Sequence, residues 1–318
     1  MSRIPDAFSV TTDSKPSSPV HRFSHVAMAS VFEILIAGED AEYARQAADA
    51  AFAELDNLHH ELNRYSSTSD ISQINALHAG QGVRVGIATM DCIKAAAKVN
   101  AETGGAFDVT IGSLLACWRD PDKKPRTPTE EELAAARART GMYLLDIRES
   151  EHLVGVKADG VSIDLGGVGK GYAVDQMVAL LKEWSIKAAL VNGGTSSVLA
   201  FGAPPGRDGW RVSLRDPEDE SQTLGSVLLK ERSLSGSAMP PGNPHIIDPR
   251  TGRPAAANVG SWAAATSATI TDCLSTAFFI MSPAEVEAYV RNHPDTSAML
   301  ITKDSSGRKV LRFGKWES

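Results

Sequence analysis

The chain has 318 residues, 42% of them hydrophobic and 22% charged, a globular mixture that excludes collagenous, low-complexity and disordered classes. Lys plus Arg is 32 and Asp plus Glu is 39, a formal net charge of −7. That balance speaks against a nucleic-acid partner, because phosphate contacts need a basic surface. The three cysteines, Cys92, Cys117 and Cys273, are too few and too scattered for a disulfide framework or a zinc site, and they fit a reducing compartment. No apolar run approaches the ~18 residues of a membrane span. The polar N-terminal stretch has no signal-peptide pattern and no lipobox cysteine. A cytoplasmic protein is expected, with a flexible tail over 1–24 and one folded domain over 25–318.

Val31–Ile36 reads as a strand. Ala44, Ala48, Ala51, Leu55, Leu58 and Leu62 then recur at steps of three and four, the stripe of a helix ending near Arg64. Tyr65–Asp70 is a polar loop, and a second helix covers about Ala88–Glu102 before Gly104 and Gly105 stop it. Thr127-Pro128-Thr129-Glu130 opens another helix, with Thr127 as N-cap, Pro128 at the first helical position and Glu130 closing a capping box. Ser282-Pro283-Ala284-Glu285 repeats that grammar for a helix running towards His293. Short β-type runs lie at Tyr143–Ile147, Leu153–Val156, Val161–Asp164, Ala188–Val191, Trp210–Leu214, Ser226–Leu229 and Lys309–Phe313. Long helices come early and hairpin-like pairs late, which predicts an α+β fold rather than a doubly wound sheet. Asp120–Thr129 is a charged, proline-containing loop, expected to be mobile.

Five segments can carry chemistry. In Asp164-Leu-Gly166-Gly167-Val-Gly169-Lys170-Gly171-Tyr172 a β run ends in a carboxylate, turns through glycines and enters a helix striped by Val174, Met177, Val178 and Leu181. Glycines let a ligand approach the backbone, a helix N-terminus favours anions, and Lys170 adds charge, so phosphate or a nucleotide is the natural guest. The spacing is neither a Walker loop nor a Rossmann fingerprint, and a tight turn with a solvated lysine explains it equally well. Asp272 and Thr276 stand one helical turn apart, a hard all-oxygen pair suited to Mg²⁺; Asp272 as a simple N-cap is the plainer explanation. His245 precedes the turn Asp248-Pro249-Arg250-Thr251-Gly252 and follows the proline-rich Pro240–Pro244, where a loop histidine can act as a general base. Gly105-Ala106-Phe107-Asp108 sets an aromatic beside a carboxylate after paired glycines, and Asn192-Gly193-Gly194 ends a strand.

Together these segments resemble the ApbE family of FAD:protein FMN transferases. The matching pieces are Met28-Ala-Ser, Leu62-Asn-Arg-Tyr65, Ser72-Gln-Ile-Asn75, Gly105–Thr110, Asp164–Tyr172, Asn192-Gly-Gly, Ser235-Gly236, His245–Gly252 and Asp272–Thr276. They occur in family order over about residues 25–313. The resemblance implies a single ApbE-like domain of two lobes, with mixed or antiparallel sheets flanked by helices. It implies binding of FAD with Mg²⁺, or Mn²⁺ in its place. It also implies transfer of FMN to a Thr or Ser hydroxyl in the FMN-binding domain of an acceptor flavoprotein, with release of AMP. Carried over position by position, Met28, Tyr65, Ala106, Phe107, Asp108, Asp164, Lys170 and Ile246 are FAD contacts. The metal ligands are the carbonyl of Gly167, the side chains of Asp272 and Thr276, and the carbonyl of Ser275. His245 activates the acceptor hydroxyl, and Asp272 serves catalysis through the metal.

The sequence departs from the family pattern at Ala29 and Ser30, where Gly-Thr is usual. Thr195 replaces a common acid, Thr271 replaces a common alanine, and the stretch from Ser235 to His245 is short and lacks its usual aromatic. Two rival readings stand beside transfer: an FAD pyrophosphatase giving FMN and AMP, and a flavin carrier without turnover.

Overall fold

The computed structural model describes residues 8–10, 19–194, 196–219, 221–239, 245–256, 258–304 and 307–316. Its strands are β1 (Phe8–Val10), β2 (Val20–Ala27), β3 (Ser30–Ala37), β4 (Gly82–Arg84), β5 (Leu145–Arg148), β6 (Leu153–Val156), β7 (Ala189–Gly193), β8 (Ser197–Phe201), β9 (Trp210–Arg215), β10 (Thr223–Leu229), β11 (Arg232–Ala238), β12 (Gly260–Ala265), β13 (Ser297–Asp304) and β14 (Gly307–Phe313). Its α-helices are α1 (Ala41–Leu62), α2 (Asp70–Asn75), α3 (Ile87–Glu102), α4 (Gly112–Cys117), α5 (Glu130–Arg137), α6 (Gly169–Glu183), α7 (Ala268–Ile280) and α8 (Pro283–Asn292).

Eight strands form one sheet in the order β14-β13-β12-β11-β8-β7-β3-β2, every neighbouring pair antiparallel. Along β3, Phe32, Ile34 and Ile36 alternate with Leu35 and Ala37, and all five are buried. A strand buried on both faces needs a layer on each side. Helices α1, α3, α6 and α7 cover one face, where Phe32, Ile34 and Ile36 join their apolar stripes. The small sheet β1-β9-β10 covers the other, with Trp210, Val212, Leu214, Val227 and Leu229 packed on Leu35, Leu190 and Val198. A third sheet, β4-β6-β5, is also antiparallel. The fold is α+β, as expected. Among the described residues no helix is long and apolar enough to cross a membrane.

Several local expectations need correction. Residues 1–7 and 11–18 of the expected tail lie outside the described residues, but β2 pairs with β3 from Val20 onward, so the ordered sheet begins before residue 25. The run Val161–Asp164 is not a strand. Its backbone groups go elsewhere: Asp164 N–H to the Val109 carbonyl, Ser162 carbonyl to Gly112 N–H, and both Ile163 groups to the Asn75 side chain. Helix α5 is capped by Thr129 rather than Thr127, with Glu132 closing the capping box, so Pro128 lies just ahead of the cap. Tyr143 sits in a 3₁₀ turn, and the strand starts at Leu145. The loop beginning at Asp120 folds back on itself, with Asp120 N–H donating to the Lys124 carbonyl at 2.9 Å and Lys124 N–H to Asp120 Oδ1 at 2.8 Å. Strand β12, Gly260–Ala265, reads poorly as β because alanine has low strand propensity; burial of all six residues outweighs that preference.

Helices α6 and α7 lie unusually close. A Cβ on Gly171 would collide with the Ala268 carbonyl and stand 2.7 Å from the Asp272 Cβ. Gly171→Ala is expected to lower the free energy of unfolding by about 1–3 kcal/mol, the range for forced overpacking of a core. Urea denaturation followed by circular dichroism measures it, and an unchanged midpoint would contradict the close packing.

Candidate functional site

The turn Leu165–Val168 leads into α6 and is braced from two sides. Asn75, on α2, donates to the Ile163 carbonyl at 3.0 Å and accepts from the Ile163 N–H at 2.6 Å. Arg64, just after α1, pairs with Asp164 through Oδ2, while Asp164 Oδ1 accepts the Gly166 N–H at 2.7 Å. The carboxylate therefore shapes the glycine turn. Val168 caps α6 without a side-chain hydrogen bond, and Lys170 lies in the first turn beside a cleft of about 660 Å³.

Helix α7 supplies the opposite side of that floor. Asp272 is 3% exposed and its Oδ2 accepts the Gly171 N–H at 3.0 Å. Burial raises its pKa, opposed by the positive charge of Lys170, the Gly171 N–H and the Ser197 hydroxyl. Of the helical residues in α7, only Ile270 and Thr276 are not buried. Among the described residues the Thr276 hydroxyl has only long contacts, 3.5 Å to the Asp272 carbonyl and 3.4 Å to Ser237 Oγ. Gly167 faces it: a Cβ there would sit 3.2 Å from Thr276 Oγ1 and 3.0 Å from the Phe107 ring. A buried carboxylate, an under-used hydroxyl and a glycine backbone held close together make an all-oxygen donor set that fits a hard divalent cation. Among the described residues no group of three or more His, Cys, Asp or Glu side chains could hold a metal, so a cation here depends on hydroxyl and carbonyl oxygens beside Asp272.

Ala106, Phe107 and Asp108 follow α3 and line the cleft. The Asp108 carboxylate organises its own loop, accepting from Thr110 N–H, Thr110 hydroxyl, Met142 N–H and Asn100. Burial pushes its pKa up, against those donors. Tyr65 stands at the mouth, 77% exposed, with the Lys123 ammonium 5.1 Å and the Arg64 guanidinium 5.6 Å from its ring centroid. His245 and Ile246 also line the cleft; Pro240–Pro244 and Thr195 lie outside the described residues.

The structure thus gathers Tyr65, Ala106, Phe107, Asp108, Asp164, Gly167, Lys170, His245, Ile246, Asp272 and Thr276 on one cleft. Met28 and Ser275 are not among its lining residues. Met28 sits in the β2–β3 turn at φ +48°, its N–H donating to His59 Nδ1 at 3.4 Å. Ser275 stands behind the wall, its hydroxyl bonded to Ser237 and its carbonyl accepting from Ser261 at 2.6 Å. Sequence reasoning gave no role to Arg64, Asn75, Lys123 or the hydroxyls behind Asp272. One signal was present: Ser233, Ser235 and Ser237 recur at every second residue, which on a strand puts three hydroxyls on one face.

The sequence profile of the ApbE family matches residues 28–301. The chain belongs to the ApbE family. Among its relatives, the FAD:protein FMN transferase of Klebsiella pneumoniae (strain 342) is 26% identical over 316 residues, covering 95% of this chain and 90% of that protein. The enzyme of the same name from Salmonella typhimurium is 27% identical, covering 94% and 89%. The apo flavinyl transferase ApbE of Pseudomonas stutzeri superposes with a TM-score of 0.83 at 25% identity, covering 93% of this chain and 95% of its own. The ApbE protein of Thermotoga maritima gives 0.82 at 26% identity, covering 93% and 97%. For an ApbE fold the Asn75 brace matters because it holds the strand-like segment that delivers Asp164. Asn75→Ala leaves both backbone groups of fully buried Ile163 without partners and is expected to cost about 1–3 kcal/mol of stability. A chemical melt equal to wild type would remove the brace from this account.

Proposed function

We propose that this ApbE family member is an FAD:protein FMN transferase acting on a Thr or Ser hydroxyl of an acceptor flavoprotein. In the reaction the acceptor oxygen forms a bond to the FMN phosphorus, the bond from that phosphorus to the bridging oxygen breaks, and AMP departs with the bridging oxygen. The observation that carries this reading is the convergence of Asp164, Gly167, Lys170, His245, Asp272 and Thr276, from three separate stretches of chain, on one cleft. Relatives bearing the transferase name align over most of their length.

Phosphoryl transfer needs positioning and charge neutralisation more than covalent help. Lys170 offsets phosphate charge from the first turn of α6. Asp272, Thr276 and the Gly167 carbonyl would hold Mg²⁺, which neutralises phosphate charge when bound. Phe107 and Tyr65 offer ring faces to a planar guest, and Asp164 keeps the glycine turn open to it. His245 takes the acceptor proton at an imidazole nitrogen.

Incubation with FAD, Mg²⁺ and a flavoprotein acceptor is expected to add one FMN to the acceptor, read by intact-protein mass spectrometry. FMN and AMP accumulating free in solution would instead identify a pyrophosphatase, and unchanged FAD a carrier. Tyr65→Ala should weaken FAD binding by about 0.5–1.5 kcal/mol, the worth of an aromatic stack. Fluorescence titration reads this directly, and an unaltered affinity would reduce Tyr65 to a loop anchor. His245→Asn keeps much of the ring's shape but cannot act as a base, so the transfer rate should fall by about 10²–10⁴-fold while FAD affinity holds. Transfer at the wild-type rate would mean that another group activates the acceptor.

A further inference from the structure

Strand β11 sends three hydroxyls towards α7, and they meet different partners. Ser233 and Ser235 face Thr271, at 3.1 Å and 2.8 Å. Ser237 lies further along and lines the cleft, where it meets Ser275 Oγ at 2.9 Å and Thr276 Oγ1 at 3.4 Å. Each hydroxyl has one proton to give. Ser275 gives its own to the Asp272 carbonyl at 3.0 Å, so Ser237 is the donor in the 2.9 Å contact. With that proton directed inward, Ser237 meets Thr276 as an acceptor. Among the described residues the Thr276 hydroxyl has one competing acceptor, the same Asp272 carbonyl, at 3.5 Å. That carbonyl already takes the Ser275 hydroxyl, and inside an α-helix it also takes the N–H four residues on, that of Thr276. A carbonyl oxygen has two lone pairs, and both are in use. Between the two acceptors, only Ser237 has room for the Thr276 proton.

We propose that Ser237 is a positioning residue: it accepts the Thr276 proton and so turns the lone pairs of that hydroxyl to the cation held with Asp272. The inference rests on the reading of Asp272 and Thr276 as a metal site. A hydroxyl ligates a cation through a lone pair, and its proton must then point elsewhere. Ligation also makes the hydroxyl a stronger donor, because the positive charge draws electrons from its oxygen. The 3.4 Å separation from Ser237 is longer than an ordinary O–H···O bond of about 2.5–3.0 Å; a stronger donor on Thr276 closes it. Ser237 is itself held from behind. Its proton goes to Ser275, whose own carbonyl is pinned by the Ser261 hydroxyl at 2.6 Å. The protons therefore run from Thr276 to Ser237, to Ser275 and back to the Asp272 carbonyl, a row that begins and ends on one turn of α7. Hydroxyls aligned in this way polarise one another.

The test uses the full chain with Mn²⁺ as probe, free Mn²⁺ being read by electron paramagnetic resonance in the presence of FAD. Ser237→Ala removes the acceptor, and Mn²⁺ binding is expected to weaken by roughly 3- to 10-fold, at the low end of losses for groups that orient ligands indirectly. Thr276→Val leaves no hydroxyl to orient, so adding Ser237→Ala to it should cost less than about twofold more, because a residue that acts through another is coupled to it. FAD affinity measured without metal should be unchanged in Ser237→Ala. Wild-type Mn²⁺ affinity in Ser237→Ala would overturn the proposal alone. So would a full second loss in the double variant, which would make Ser237 independent of Thr276. A parallel loss of metal-free FAD binding would overturn it in favour of simple packing. If Ser237→Ala does not fold, Ser237→Cys puts a weak acceptor of similar size in its place and carries the same expectations. A wild-type protein that binds no Mn²⁺ with FAD, or a Thr276→Val variant that binds it as tightly as wild type, would instead sink the metal reading and this inference with it.

Discussion

Helices α6 and α7 clasp each other by exchanging carboxylates, and the site is arranged around that clasp. Asp272 of α7 receives the Gly171 N–H from the first turn of α6. Asp175 of α6 receives the Ser267 hydroxyl, the Ala268 N–H, and both the N–H and hydroxyl of Thr269, which together form the start of α7. Each helix thus presents an acid to the other's N-terminus, where unpaired N–H groups and the helix dipole favour negative charge. The exchange works only at short range, and Gly171 is what permits that range. Shifting one helix along the other would break both ends of the clasp and move Asp272 and Thr276 away from Gly167.

The same closeness explains why so few atoms of α7 meet the cleft. The helix is sheathed on nearly every side, and Thr276 is one of two residues in it left open. A carboxylate in such surroundings is unfavourable as a charge unless donors or cations surround it. Lys170, Gly171 and Ser197 do part of that work. The cleft then meets a carboxylate that is partly compensated and held by the Gly171 N–H.

Much of this was legible in the sequence because it rests on local grammar. The 3–4 spacing on α1, the capping box at Ser282, the glycine turn before Lys170 and the one-turn spacing of Asp272 and Thr276 all depend on neighbours in the chain. What was not legible depends on partners far away. Arg64 finds Asp164 across 100 positions, and Asn75 finds Ile163 across 88. Strand β12 is held by burial on both faces, which no propensity of alanine announces. Asp272 as an N-cap was excluded only once Ser267 was seen to cap α7, leaving Asp272 inside the helix. The serine face of β11 was written in the sequence at period two, but its meaning came from Thr271 lying opposite it.

The Lys123 ammonium over the Tyr65 ring changes what an affinity at this mouth measures. A cation resting on an aromatic face is itself a bound state, of order 0.5–1 kcal/mol at an exposed site. A planar guest that seats on that face does not fill a bare surface; it exchanges one partner for another. Lys123 must swing away, or else move from the ring to an anionic part of the guest. In the first case the ring contributes only the difference between stack and cation. In the second, the displaced charge is re-used, and binding becomes sensitive to ionic strength even though the ring contact itself is uncharged.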